Sequence, residues 1–170
     1  RPEVHSLLVA RNGTLVWERY FEAEDHYWRA GSDVNSLPTY HVAGDATQIH
    51  NVKSCTKSIM SILVGIALDK GVLPSADLTA AELLPEYFGR VVDPKKRSIT
   101  LRHLLQMRSG LRWLENAQIT FDWIAATDPV EFSLQQDLVA APGERWEYST
   151  ADTHLLAACL AAAAGKDLEK

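Results

Sequence analysis

The sequence predicts an α+β chain in which a small antiparallel sheet comes first and a run of helices follows. Three observations carry that class. Two β-prone segments, residues 5–10 and 14–20, are joined through Arg11-Asn12-Gly13, and Asn-Gly is the strongest short signal for a tight hairpin turn. From Ser54 onward the apolar spacing becomes helical and is punctuated by capping residues, glycines and prolines. With 46% hydrophobic and 23% charged residues over 170 positions, the chain can bury a substantial core and has the length of one ordinary domain.

After the hairpin, residues 22–46 are polar and broken by Gly31, Pro38 and Gly44, which predicts an irregular excursion, followed by a short extended piece over residues 47–52. Residues 54–70 carry Ile59, Met60, Ile62, Leu63, Val64, Ile66 and Leu68 on nearly every helical face and stop at Gly71. A helix of that kind is expected to be surrounded by protein. Thr79-Ala80-Ala81-Glu82 is a capping box for a short helix ending before Pro85, and Thr100 opens another that runs through Met107 and is closed by Gly110. Asp128-Pro129-Val130-Glu131 places a cap, an N1 proline and a first-turn acid in the order that starts a helix. The last helix starts at Ser149 or Thr150 and ends at Gly165, its Ala161-Ala162-Ala163-Ala164 run being plain helix. The expected division is residues 1–73, with the hairpin and the first long helix, and residues 74–170, a helical region.

This inventory leaves the sheet short of strands. A two-stranded hairpin is marginal in water, so the missing strands are expected from a continuation past Lys170 or from a second chain. Residues 166–170 read as the start of an element cut short, which favours continuation.

Composition excludes several functions. Seventeen Lys and Arg against 22 Asp and Glu give a net charge of −5, with no basic stripe for nucleic-acid phosphates. The stretch without charge over residues 58–68 falls far short of the roughly 20 apolar residues that span a bilayer. The Arg1-Pro2 start shows no secretion signal, and the native start is expected to have been removed, so compartment stays unassigned. Cys55 and Cys159 both fall inside helical patterns and read as buried thiols. The nine glycines include no pair spaced for Gly-x-Ser-x-Gly, a P-loop or Gly-x-Gly-x-x-Gly. The six histidines form no His-Glu-x-x-His motif and no Cys/His cluster, so neither metal nor cofactor is expected.

What remains is Ser54-Cys55-Thr56-Lys57 at the beginning of the long apolar helix. Residues i and i+3 share a helical face, so the Lys57 amine can fold back beside the Ser54 hydroxyl. Free N–H groups and the helix dipole at that end favour a developing oxyanion. Serine becomes a nucleophile when a base takes its proton, and a desolvated lysine can be that base. The plain alternative is an N-cap serine followed by a first-turn lysine, but a cation there faces the positive end of the dipole, which leaves Lys57 unexplained. Cys55 as nucleophile is weaker, since it points about 100° away around the helix.

Three blocks in order, Ser54-Cys55-Thr56-Lys57 with residues 61–67, Ile99-Thr100-Leu101-Arg102-His103-Leu104-Leu105 with Ser109-Gly110-Leu111, and Pro142-Gly143-Glu144-Arg145-Trp146-Glu147-Tyr148-Ser149, give the chain a resemblance. It resembles the serine hydrolases of the class C β-lactamase and D-alanyl-D-alanine carboxypeptidase type, especially their esterase and nylon-oligomer-hydrolase branches. The resemblance implies the N-terminal portion of a β-lactamase/transpeptidase-like fold. It implies Ser54 as the acylated nucleophile, Lys57 as its base and Tyr148 as the tyrosine of the second motif, acting on a small ester or amide without a cofactor.

Two departures matter. The second motif usually reads Tyr-x-Asn, and Thr150 stands at its third position, keeping a hydroxyl for Lys57 and substrate but losing the amide; this weighs against true β-lactamase activity, with D-alanyl-D-alanine carboxypeptidase or β-lactamase kept as an alternative reading. The third motif, Lys or His followed by Ser/Thr and Gly on a strand, is absent, because Arg108-Ser109-Gly110 ends a helix. That strand would supply one oxyanion donor, and such a loss typically costs about 10²- to 10³-fold in turnover, so residues 1–170 alone are expected to be nearly inactive. The same departures support a rival reading as a catalytically silent binding or scaffolding homologue.

Overall fold

The structure, a computed structural model, describes residues 4–26, 39–50 and 52–166. Contacts divide the chain into two compact units, residues 1–53 and 54–170.

In the first unit, β1 (Ser6–Arg11) and β2 (Thr14–Tyr20) pair antiparallel. Asn12 (φ 51°) and Gly13 (φ 78°) both take the left-handed conformation that a two-residue hairpin turn needs. The register runs Ser6 opposite Tyr20 to Val9 opposite Trp17, then shifts by a bulge so that Ala10 faces Leu15. Leu7, Leu8, Val9, Leu15, Val16 and Trp17 are all 44–56% exposed. Consecutive strand residues point to opposite sides, so among the described residues of this unit both faces of the hairpin are exposed.

The polar excursion expected over residues 22–46 is in part a second ribbon: β3 (Ala23–His26) pairs antiparallel with β4 (Thr39–Val42). Ala-Glu-Asp-His has no apolar alternation, and pairing rather than propensity makes it a strand. Gly31 and Pro38 lie outside the described residues. Residues 47–50 and 52 form no strand. Asp45 turns the chain there by accepting from the Thr47 N–H and hydroxyl at 2.7 and 2.6 Å, and position 51 is outside the described residues.

The second unit is helical: α1 (Cys55–Asp69), α2 (Ala80–Leu83), α3 (Pro85–Phe88), α4 (Leu101–Leu105), α5 (Gln118–Ala125), α6 (Pro129–Gln135) and α7 (Thr150–Ala163), with a 3-10 turn over Pro94–Ser98. The alanine-rich α7 is the hub, packing against α1, α2, α4 and α6. Leu73, Phe88, Ile99, Leu101, Leu104, Leu134, Leu155 and Cys159 are fully buried in this core.

Capping explains the helix starts. Thr79 and Glu82 complete their capping box. Thr100 makes one with His103, whose Nδ1 accepts the Thr100 N–H at 3.2 Å in place of the usual acid. The Asp128 carboxylate accepts from the Val130 and Glu131 N–H groups, both at 3.0 Å. Pro85 does more than end α2: as the N1 residue it opens α3, where its missing N–H has no helical partner to lose. Helix α4 stops at Leu105, before the expected Met107, which turns to φ 54°.

Two expectations for α1 are corrected. Only Met60, Val64 and Ala67 are buried, one stripe at i, i+4, i+7, while Ile59, Ile62, Leu63 and Ile66 stay 45–63% exposed. Among the described residues of the second unit the helix is therefore covered on one side rather than surrounded. Cys55 is exposed rather than buried, because it lies off that stripe; Cys159 is buried, and burial pushes its thiol up to about 12. Native protein should thus react with one equivalent of a colorimetric thiol reagent, and Cys55→Ser with none until denaturant exposes Cys159. Two fast equivalents in the native state would contradict this packing.

Candidate active site

Ser54 stands at the head of α1 with helical backbone angles (φ −70°, ψ −10°), and its side chain makes no capping hydrogen bond. The plain reading of Ser54 as a capping serine is thereby set aside: its hydroxyl is not spent on the helix. One turn on, Lys57 Nζ lies 3.3 Å from Ser54 Oγ. The same amine donates to Thr150 Oγ1 at 3.0 Å and sits 4.9 Å from the centroid of the Tyr148 ring. The four residues singled out from sequence are therefore assembled around one nitrogen, although Tyr148 meets it through the ring face.

The approach to α7 explains the Tyr148-x-Thr150 spacing. Ser149 is extended (φ −136°, ψ 114°), so its neighbours on either side share a face directed at Lys57 while Ser149 faces the other way. There its hydroxyl caps α7 by accepting the Asp152 N–H at 3.0 Å.

Sequence reasoning missed Glu115. Its Oε1 accepts the Thr150 hydroxyl at 2.6 Å, and its Oε2 accepts the Thr150 N–H at 3.1 Å and the Trp113 indole N–H at 2.6 Å. Because the Thr150 proton is committed to Glu115, the Thr150 oxygen turns its lone pairs to Lys57. This gives the order Ser54, Lys57, Thr150, Glu115 in space. No periodicity marks Glu115, which sits in a loop 35 residues from Thr150; its one signal is its position shortly after Ser109-Gly110-Leu111.

That Ser-Gly-Leu loop is pinned from below. The Ser109 hydroxyl and N–H donate to the two oxygens of Asp152 at 2.7 and 3.2 Å, and Leu111 bridges to Leu138. Gly110 is required at φ 80°, since a Cβ would stand 2.3 Å from the Ala140 carbonyl oxygen. Burial pushes the Asp152 carboxyl up to about 6, against the opposing pull of the hydrogen bonds from Ser109 and Ser149.

A carboxyl raised on folding binds its proton more tightly in the native state, so its stabilising contribution is full below the unfolded value near 4 and is lost as pH rises through about 6. Denaturant unfolding at pH 4.5 and 7.5 should show a wild-type stability difference that shrinks by about 2 kcal/mol in Asp152→Asn, which cannot titrate. An unchanged difference would mean that Asp152 is not held in this way.

A profile of the family described as Beta-lactamase matches residues 5–170. Esterase EstB of Burkholderia gladioli is 28% identical over 174 residues, covering 95% of this chain and 41% of that protein. Among solved structures, a candidate 6-aminohexanoate-dimer hydrolase from Bacillus anthracis superposes with a TM-score of 0.62 at 18% identity, over 95% of this chain and 40% of its own. A candidate β-lactamase from Bacteroides dorei superposes with a TM-score of 0.57 at 21% identity, over 95% and 41%. The chain spans about two fifths of the length of these relatives, and the shared fold is the N-terminal part of theirs in α+β class. With the match running over almost its whole length, this chain belongs to the Beta-lactamase family.

Proposed function

We propose that these residues carry the nucleophile and proton-handling side of a serine hydrolase that cleaves a small ester or amide through an acyl-enzyme. The observation that supports it most is the uncapped Ser54 hydroxyl 3.3 Å from Lys57 Nζ, with Thr150 holding the same amine from behind at 3.0 Å. Ser54 Oγ attacks the carbonyl carbon as its proton passes to the Lys57 nitrogen. The tetrahedral intermediate collapses, the C–O or C–N bond to the leaving group breaks, and the departing alkoxide or amine takes a proton from the Lys57–Tyr148 pair. Water, deprotonated by the same pair, then attacks the acyl carbon and restores Ser54.

The Ser54 N–H, at the start of α1, supplies one oxyanion donor. The second, implied by the family resemblance on a strand absent from residues 1–170, belongs to the rest of the sheet, supplied by further chain or by a second chain. Residues 1–170 alone are therefore proposed to turn over at roughly 10⁻² to 10⁻³ of the complete site. Thr150 in place of an asparagine amide favours esters and simple amides over β-lactams. It also motivates the second reading, a silent scaffolding homologue.

Labelling with a fluorophosphonate and with a fluorescent penicillin separates these readings. An adduct mapped to Ser54 from the first probe but not the second supports the esterase or amidase. An adduct from both returns the β-lactamase or carboxypeptidase reading. An adduct on exposed Cys55 overturns the serine mechanism, and no adduct favours the scaffold.

A further inference from the structure

We propose that His5, Asp25 and His50 form a binding site for one divalent ion of the zinc class, built from residues of the first unit alone and argued independently of the function proposed for Ser54. The three are 20 and 25 positions apart in sequence, which is why no motif betrays them. The fold gathers them. The Phe21 N–H donates to the His5 carbonyl at 2.9 Å, extending the β1–β2 ladder by one step, and brings the start of β1 close to β3, which carries Asp25. His50 arrives from the irregular segment after β4.

One ligand atom from each residue lies within 4.8 Å of the other two. His5 Nδ1 is 3.3 Å from His50 Nδ1 and 3.9 Å from Asp25 Oδ2. A tetrahedral ion about 2.0–2.1 Å from each donor sets neighbouring donors about 3.3 Å apart, so the imidazole pair already spans one edge, and the carboxylate has to close by about half an ångström toward His5 and from a separation of up to 4.8 Å toward His50. Two imidazoles and one carboxylate suit zinc or cobalt, with a water completing four-coordination.

The surroundings support this assignment. The Tyr40 hydroxyl donates to Asp25 Oδ2 at 2.8 Å, the kind of outer hydrogen bond that orients a ligating carboxylate. Lys53 Nζ lies 3.6 Å from the other oxygen, Oδ1, and its side chain is 47% exposed, so the ammonium can swing into solvent when a cation enters. His5 and His50 are partly exposed, which leaves a path for the ion. A hydrogen bond between the two rings is the rival explanation of the 3.3 Å separation. It requires nothing of Asp25, so the two accounts differ in whether a metal is taken up.

The test is a titration of the chelator-stripped protein with Co²⁺, followed by the visible bands of four-coordinate cobalt and then by their displacement with Zn²⁺. The expected result is saturation at one equivalent. His5→Ala and Asp25→Asn should each weaken Co²⁺ by more than the roughly 10- to 100-fold that outer-shell changes cost. His50→Gln should do the same without touching a strand, which guards against a variant that fails to fold. His41→Ala, an exposed histidine on β4, should leave the titration unchanged. Absence of saturable binding in the wild type, or binding that survives the His5→Ala/His50→Gln double change, overturns the proposal.

Discussion

Replacing Ser54 by alanine is expected to abolish fluorophosphonate labelling and ester hydrolysis, because it removes the atom proposed to form the acyl bond. Loss of a serine nucleophile in this kind of chemistry typically costs up to about 10⁶-fold in turnover. Lys57→Met should retain Ser54 and still fall by about 10²- to 10⁴-fold, the usual worth of a positioned general base. Methionine fills the space of the lysine stem, so α1 keeps its packing and the loss reports the amine. Rates of probe incorporation, read as intact mass against time, measure both. Equal labelling of wild type and Ser54→Ala would remove the serine from the mechanism. Equal rates for wild type and Lys57→Met would leave Ser54 without its proposed base.

Glu115→Ala is expected to have the next largest effect, on stability and activity together. It strips the partner from three donors at once, the Thr150 N–H, the Thr150 hydroxyl and the Trp113 indole. Each donor left unsatisfied away from water costs about 1–3 kcal/mol, so the variant should lose several kcal/mol in denaturant unfolding. Glu115→Gln distinguishes structure from chemistry. Its carbonyl oxygen can take the place of Oε2 and satisfy two donors, but its NH₂ then donates to Thr150 Oγ1. The Thr150 proton is turned toward Lys57, where a lone pair used to face the amine. Glu115→Gln should accordingly stay closer to wild type in stability than Glu115→Ala while still reacting about 10-fold or more slowly with the fluorophosphonate, a factor that corresponds to about one lost neutral hydrogen bond. Wild-type rates in Glu115→Gln would make Glu115 structural only.

The parts of the fold that could be read in the sequence are those fixed by local chemistry. Asn12-Gly13 fixes a turn through positive φ, and Thr79, Thr100 and Asp128 fix helix starts through caps, all of which act within four residues. The ribbon of β3 and β4 escaped because its strands are polar and exist through pairing between residues 13–19 apart. Helix α5 escaped because its N-cap, Ala117, has no polar side-chain atom to accept a capping hydrogen bond. The exposure of Cys55 and of half of α1 could not be foreseen, since an apolar helix carries no mark of which faces a given length of chain covers. At the site, Ser54, Lys57, Tyr148 and Thr150 were legible through spacing and family resemblance. Glu115 was not, because its importance lies entirely in a contact across 35 residues.

The zigzag at residues 148–150 has an evolutionary consequence. Adjacent side chains there serve separate duties, with Tyr148 and Thr150 directed at the amine and Ser149 holding the head of α7. Mutation at one duty is thus uncoupled from the other: threonine could replace Ser149 as a cap while the facing pair keeps its contacts with Lys57, and position 150 could change without removing the Ser149 cap of α7. Insertion or deletion of a single residue enjoys no such freedom. It would exchange the two sides, offering a serine to the amine and driving a phenol into the helix cap, so substitution is tolerated here where a change of length is not.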